Sequence, residues 1–305
     1  MEQNTKIGLI VVAGVAFLLL IAVLALHFGQ KAHDRLDLDL EAMFPKDAPV
    51  VPGEILATTL IEIMRHELDD GFGWRPNDFF LWGPGIWADN NSNRQIGIIH
   101  AVRETIRVFK DNLTKVSPNI YDPNLVEADT MYRNDERKLW FPSAESRFHK
   151  GNEALQKYIH GLRASPPTSR PLNLLNSELM KLFEAWTDLL GDAHAKLYRS
   201  VEPDGGAVHG WRTDDYFYQA QGYAHVMYYF MAAVQKEYGQ GLKESAASLF
   251  PDVLDALKKA STMKPLIVLD GSAEGLFANH RRNLDAYISE ARGKMFSIHE
   301  ELRSR

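Results

Sequence analysis

Cysteine is missing from all 305 residues, which removes disulfide frameworks, thiolate metal sites and thiol nucleophiles at once. A basic surplus is missing too: the net charge is −6 and the pI is near 6.0, so the chain carries no electrostatic footprint for nucleic acid. Strand-like stretches are scarce, with LIVL at 266–269 the single β-rich tetrapeptide. Catalytic signatures are missing as well: there is no HExxH, no GxSxG, no GxGxxG, no phosphate-binding GxxxxGK and no EF-hand loop. No cofactor is implied. Carboxylates such as Glu127, Asp129, Glu136 and Glu145 are plentiful, but sequence spacing does not define the paired geometry that glycoside hydrolysis needs.

What is present begins with a long apolar run. Ile7 to Leu26 (IGLIVVAGVAFLLLIAVLAL) carries no charge, and a helix of that length spans a hydrocarbon core of about 30 Å. The run is too long for the apolar part of a cleaved signal peptide and lacks a clear small-x-small cleavage site. It predicts an uncleaved anchor through which the chain meets the lipid bilayer, with no second run of this kind after it. Lys6 precedes the span while Lys31 and Arg35 follow it, so the positive-inside bias nearly cancels; the short leading tail favours export of the rest. Residues 1–27 are therefore tail and anchor, and 28–50 a juxtamembrane spacer with a short helix expected at 36–43.

Beyond the spacer, helical periodicity dominates, as in Leu56, Leu60, Ile63 and Met64, or Leu179, Leu182, Phe183, Trp186 and Leu190. The fold expected is all-α. The chain also repeats itself: GWRPNDFF at 73–80 answers GWRTDDYF at 210–217, and Gly97-Ile98-Ile99-His100 answers Gly222-Tyr223-Ala224-His225. A third block, SAESRFHKGNEALQKYI at 143–159, matches SAEGLFANHRRNLDAYI at 272–288 at seven ungapped positions. Three blocks in one order predict an internal duplication, with copy one at 51–165, a Pro-rich linker at 166–172 and copy two at 173–305. Four helices are expected in each copy, near 52–70, 94–116, 122–138 and 143–163, then 173–198, 213–238, 244–260 and 273–303. Two such bundles would pack about a pseudo-twofold axis. The aromatic stretch at 216–234, bulky on every face, would lie at its centre.

Few residues stand out as carriers of chemistry. In the repeated GWR block, Trp74, Arg75 and Asp78, like Trp211, Arg212 and Asp215, read as a structural motif, the Asp at or just inside a helix start, the Arg binding it and the Trp packing over the turn. The corresponding His100 and His225, with Asp78 and Asp215, are the candidate catalytic or metal-ligating set, suited to a divalent ion such as zinc if the second helices face each other. The competing reading makes each His a buried, hydrogen-bonded core residue, with Asp214, Tyr218, Gln221 and His225 a polar seam on one helix face. SAExxF reads as a helix opening, and Glu184, Asp188 and Asp192 as a solvated acidic row. The insert at 81–95 has no counterpart in copy two; Trp82, Trp87 and Asn90 there are candidate partner-binding residues.

With the anchor, the two GWR blocks and the helix QGYAHVMYYF in view, the chain resembles a family of proteobacterial single-pass membrane-anchored proteins catalogued only as a domain of unknown function. The resemblance implies an inner-membrane protein of a Gram-negative bacterium with its helical domain in the periplasm, and supplies no activity or site residue. The function expected is a non-enzymatic cell-envelope protein with a helical binding or scaffold domain. A periplasmic metal-dependent or carboxylate hydrolase acting on an envelope component is the alternative.

Overall fold

The computed structural model describes residues 2–303 apart from 33–35, 37, 79–88, 116, 118–119, 200–204, 207–209, 266–267 and 269–278. In chain order the helices are α1 (Glu2–Ala32), α2 (Leu40–Met43), α3 (Glu54–Asp69), α4 (Asp89–Val108), α5 (Pro123–Tyr132), α6 (Ala144–Arg163), α7 (Asn176–Tyr198), α8 (Gly210–Tyr238), α9 (Glu244–Ala247), α10 (Phe250–Thr262) and α11 (His280–Arg303). A π-turn at Phe109–Leu113 closes α4. Among the described residues there is no strand, only an isolated bridge between Ser117 and Ile120. The LIVL segment lies almost wholly outside the described residues.

Local chemistry sets the helix ends. Asp122 accepts from the amides of Asn124 and Leu125 ahead of Pro123, a strong start signal for α5. Ser143 caps α6 through the Ser146 amide. The start of α3 is capped from a distance: Glu237, in the last turn of α8, accepts from Gly53 N at 2.9 Å and Leu56 N at 3.1 Å. Gly53 has φ +103, a conformation side chains resist. The helix expected at 122–138 stops at Tyr132, because Arg103 takes the carbonyls of Tyr132 and Asn134 at 2.7 and 2.6 Å and turns the chain away.

α1 contains one run, Thr5–Ala25, with mean hydropathy 3.2 and none of it buried, long and apolar enough to cross a membrane. The stretch that follows is not a loose spacer. Leu40 and Phe44 are buried in the core, Leu36 and Leu38 pack against it, and the Leu36 carbonyl accepts from Tyr229 Oη. Lys236 holds Glu41 at 2.8 Å. The Pro-rich linker is pinned too, with Leu172 N donating to Pro52 O and Arg170 N to Asp122 Oδ2.

The core is organised by α4 crossing α8. They meet at Gly97 and Gly222 in a reciprocal way: a Cβ on Gly97 would run into the Gln219 carbonyl, and one on Gly222 into the Arg94 carbonyl, each partner three residues before the other glycine. Backbone approach this close needs glycine on both sides. Neighbours repeat in the two halves. α3 and α5 pack on α6 as α7 and α10 pack on α11, α4 meets α5 as α8 meets α10, and across the middle α3 meets α8 as α7 meets α4. The correspondence is partial, since α7 and α11 also pack on α8 without comparable packing of α3 and α6 on α4, and it does not establish the internal duplication expected from sequence. Trp186 seals the centre, donating to Thr105 Oγ1 at 3.0 Å and meeting Phe230 edge-on at 5.9 Å.

The repeated GWR block departs from this pattern. Gly210 to Phe217 is the first part of α8, whereas Gly73 to Asp78 is a non-helical turn with Gly73 at φ +66. Pro76 stands where the second block has Thr213, and proline disfavours helix at the preceding residue. Asp215 therefore sits in the second turn of α8, whereas Asp78 lies in a turn.

Candidate functional site

Where α4 and α8 begin, three carboxylates converge: Asp89, Asp214 and Asp215 have oxygens within 4.8 Å of one another. Asp89 opens α4, whose dipole favours negative charge there, and the two others lie in the second turn of α8. The carboxylates are tied locally. Asp89 accepts from the Asn90 amide at 2.9 Å, Asp214 from the Asp215 amide at 3.1 Å, and Asp215 from the Asn93 side chain, which in turn accepts from Gln219 at 3.1 Å. Burial, then the charge of Asp89, pushes Asp214 and Asp215 up to about 6; Arg137 and Arg212 pull Asp215 partly back. The cluster exchanges protons in the near-neutral range, and its ligand chemistry is that of hard oxygen donors.

Deeper along the same crossing runs a buried polar seam. Arg94 Nη2 donates to both Glu67 oxygens at 2.9 and 2.8 Å, with Asn91 accepting from Nε. Gln95 bridges the Arg75 amide and the carbonyls of Glu67 and Gly73. His225 is fully buried; burial and the neighbouring Arg94 and His66 hold it well below its usual pKa, so it is a neutral imidazole. Its Nε2 makes no hydrogen bond among the described residues, and neither does Gln221 Oε1. The seam expected on α8 is thus real but incompletely satisfied.

The residues proposed from sequence as one chemical set fall in four settings. His100 lies toward solvent, 3.4 Å from Glu136, which Arg103 also holds at 3.0 Å. The His100 hydrogen bond, with Arg103 beside it, draws Glu136 down to about 2. Asp78 pairs with Arg75 at 2.7 Å and is raised by burial. Asp215 is the member that joins the acidic cluster, without His100, His225 or Asp78. Trp74 packs edge-on against Phe148 at 5.0 Å and donates to the Glu136 carbonyl. Arg212 is exposed near Asp215, and the Asn93 side chain donates a hydrogen bond to that carboxylate. Trp82, Trp87 and the Trp211 side chain lie outside the described residues. Asn90 is not in a loop: α4 starts at Asp89, five residues earlier than expected, because the polar run Asn91, Ser92 and Asn93 is buried against α8.

A family model described as an uncharacterized protein conserved in bacteria (DUF2333) matches residues 2–205 and 180–304, that is, the anchor and both halves. The chain belongs to this bacterial family. No curated protein and no solved structure matches it. For the family, then, geometry carries the functional argument, and it points to features that periodicity passed over. Asp89 was hidden inside a presumed loop, although an Asp before a run of helix-compatible polar residues is a start signal. The Glu67–Arg94 pair gave no sequence signal, since its members are 27 residues apart and each looks like a surface residue. The third feature is the tip Leu139-Trp140-Phe141, which falls between the helices expected at 122–138 and 143–163, where Trp140 is 77% and Phe141 96% exposed.

Proposed function

We propose that this protein is a membrane-anchored cell-envelope protein whose helical domain acts by binding and positioning rather than by catalysis. The observation that carries this reading is the continuity between α1 and the domain: an apolar helix long enough to cross a membrane leads within a few residues into a segment seated on the core at Tyr229 and Lys236. Such a domain is held close to the bilayer by a short tether. The pairing of its ionisable groups supports the same reading, since Glu67, Asp78 and Glu136 are each committed to an arginine. Export of the domain to the periplasm, with the six residues before Ile7 inside, completes the proposal, and the partner is an envelope protein met through residues 81–95.

The test is crosslinking of the full chain in its native membrane, comparing wild type with Trp82→Ala/Trp87→Ala. Loss of a discrete crosslinked partner at unchanged thermal stability is the expected result; an unchanged partner set sinks the assignment of 81–95. Elemental analysis of the purified chain addresses the enzymatic alternative. Stoichiometric divalent metal that disappears in Asp89→Asn and Asp215→Asn would replace this reading with a metal-dependent hydrolase.

A further inference from the structure

The loop between α5 and α6 is built to present its tip. Its base is fastened on several sides: Trp74 Nε1 donates to Glu136 O at 2.9 Å, Asn77 Nδ2 to Lys138 O at 3.0 Å, Ala144 N to Lys138 O at 3.0 Å, and Arg137 N to Asp135 Oδ1 at 2.9 Å. Beyond this base the chain projects Leu139, Trp140 and Phe141, 44%, 77% and 96% exposed. Outside α1 these last two are the most exposed large hydrophobic residues among those described. An aromatic pair left in water on a pinned loop is a standing cost that a contact would remove.

Order along the loop identifies the contact. Arg137 and Lys138 stand at the base and the apolar residues at the tip, so cations give way to aromatics in the direction of projection. An anionic bilayer has the complementary profile, phosphates outermost and then the interfacial zone that Trp favours. The rest of the molecule is acidic, with a net charge of −6, so a basic pair beside the exposed apolar tip is not a general property of its surface.

Distance makes the chain's own membrane the source. From Ala32 to the docked Leu36 the chain advances four residues, at most about 14 Å, and the part of α1 beyond its apolar run adds about 10 Å. The domain therefore cannot leave the bilayer that holds α1. The loop and the docking point of the spacer lie at different heights of α8: Arg137 is near enough to Asp215 to act on its charge, and the spacer sits at Tyr229 and Lys236, about 21 and 31 Å further along the helix, so both reach one bilayer when α8 lies along its plane.

We propose that residues 137–142 are a second membrane contact, with Leu139, Trp140 and Phe141 in the headgroup region of the bilayer that holds α1 and Arg137 and Lys138 against its phosphates. This rests on the anchored reading of α1. Two points of attachment would fix the orientation of the domain, which a single helix with a short tether does not.

The cysteine-free chain makes the test direct. Phe141→Cys carries an environment-sensitive fluorophore in the full chain, reconstituted at one copy per nanodisc of phosphatidylethanolamine and phosphatidylglycerol, with spin-labelled lipid as quencher. Phe296→Cys, an exposed position on α11, is the reference. The expected result is blue-shifted emission at 141 with lipid quenching several-fold above that at 296. Arg137→Gln/Lys138→Gln should weaken docking about fivefold per charge at low salt, and Trp140→Ser should abolish it without changing the Tm. A chain that does not co-migrate with the discs overturns the anchored reading and this inference together. A chain that co-migrates while the label at 141 stays as water-exposed as that at 296 overturns the loop contact alone. So does a blue shift that appears only with a second copy or added membrane protein and is insensitive to spin-labelled lipid.

Discussion

Replacing Gly97 with Ala probes the centre of the molecule with a single methyl group. The added carbon would lie 2.9 Å from the Gln219 carbonyl carbon and 3.0 Å from its Cα, both backbone atoms of α8, so no side chain can swing away to make room. α4 and α8 must separate by several tenths of an ångström, and overpacking of this kind costs about 1–3 kcal/mol. Alanine's better helix propensity returns up to about 1 kcal/mol. The net expectation is a loss of about 1–2 kcal/mol, and the same for Gly222→Ala, whose Cβ would meet Ile98 N at 2.8 Å. The double variant should cost less than the sum, because separating the helices for one methyl makes room for the other. Gly293→Ala is the control: nothing lies within 4 Å of its Cβ, so it should be neutral or stabilising by up to about 1 kcal/mol. Urea unfolding of the detergent-solubilised chain, followed by circular dichroism, reads all four. If Gly97→Ala is as stable as Gly293→Ala, the α4–α8 crossing is not the close backbone contact argued above.

Other expectations follow from buried charge and from the anchor. Glu67→Gln leaves the Arg94 guanidinium buried without its counter-charge and should cost about 3–5 kcal/mol in the same unfolding assay; a loss under about 1 kcal/mol would mean that water reaches the pair. Asp214 and Asp215, raised from 3.8 to about 6, and Glu237, raised from 4.5 to about 7, bind protons more tightly folded than unfolded. Their contribution is complete below about pH 4 and is lost as pH rises to about 7, while the buried His225, held well below its usual 6.5, acts with the opposite sign as pH rises toward that value. Discounted for partial exposure, the effect of the two aspartates is about 2 kcal/mol. Asp214→Asn/Asp215→Asn isolates it: the wild-type Tm should fall relative to that of the variant as pH rises from about 4 to 7, and a difference that stays constant or grows would contradict it. Glu136, held near 2, acts with the opposite sign, its stabilisation being present above 4.5 and lost only as pH falls toward 2, outside this window. Phe17→Arg/Leu18→Arg places two charges mid-way along the apolar run at about 2.5–3.5 kcal/mol each; alkaline extraction should then release the chain from the membrane pellet, whereas wild type stays.

Helix existence was legible and helix chemistry was not. Leu179, Leu182, Phe183, Trp186 and Leu190 follow the 3.6-residue period because one side of α7 is buried, and burial is what periodicity reports. The start of α4 was misplaced because Asn91, Ser92 and Asn93 look like loop residues. Their burial depends on α8 arriving from 120 residues downstream, and no local rule contains that information. The Glu67–Arg94 pair was invisible for the same reason. The end of α5 was set by Arg103, on a different helix, taking its last carbonyls.

The repeated words of the sequence show where such reading reaches its limit. Gly97 and Gly222 were noticed as members of a repeated tetrapeptide, and they prove to face each other's helix, so there sequence likeness and spatial equivalence coincide. The histidines three residues further on do not share this fate. His100 lies toward solvent beside Glu136, while His225 is buried under Arg94 and Tyr229, because α5 and its following turn offer His100 a carboxylate that the second half does not offer His225. The GWR block diverges for a reason already in the sequence. Pro76 keeps the first copy in a turn where Arg75 closes on Asp78, whereas Thr213 lets the second copy wind into α8 and carry Asp214 and Asp215 to Asp89. One proline thus decides which aspartate is an ion-pair partner and which belongs to a proton-exchanging cluster. The asymmetry between the halves, more than their likeness, creates the site. Thr213→Pro tests that step: it should unwind the first turn of α8, disperse the carboxylates and remove from the pH-dependence of the Tm the share that Asp214→Asn/Asp215→Asn removes, leaving that of Glu237 and His225, and a variant that keeps the wild-type dependence would detach the cluster from the helix start.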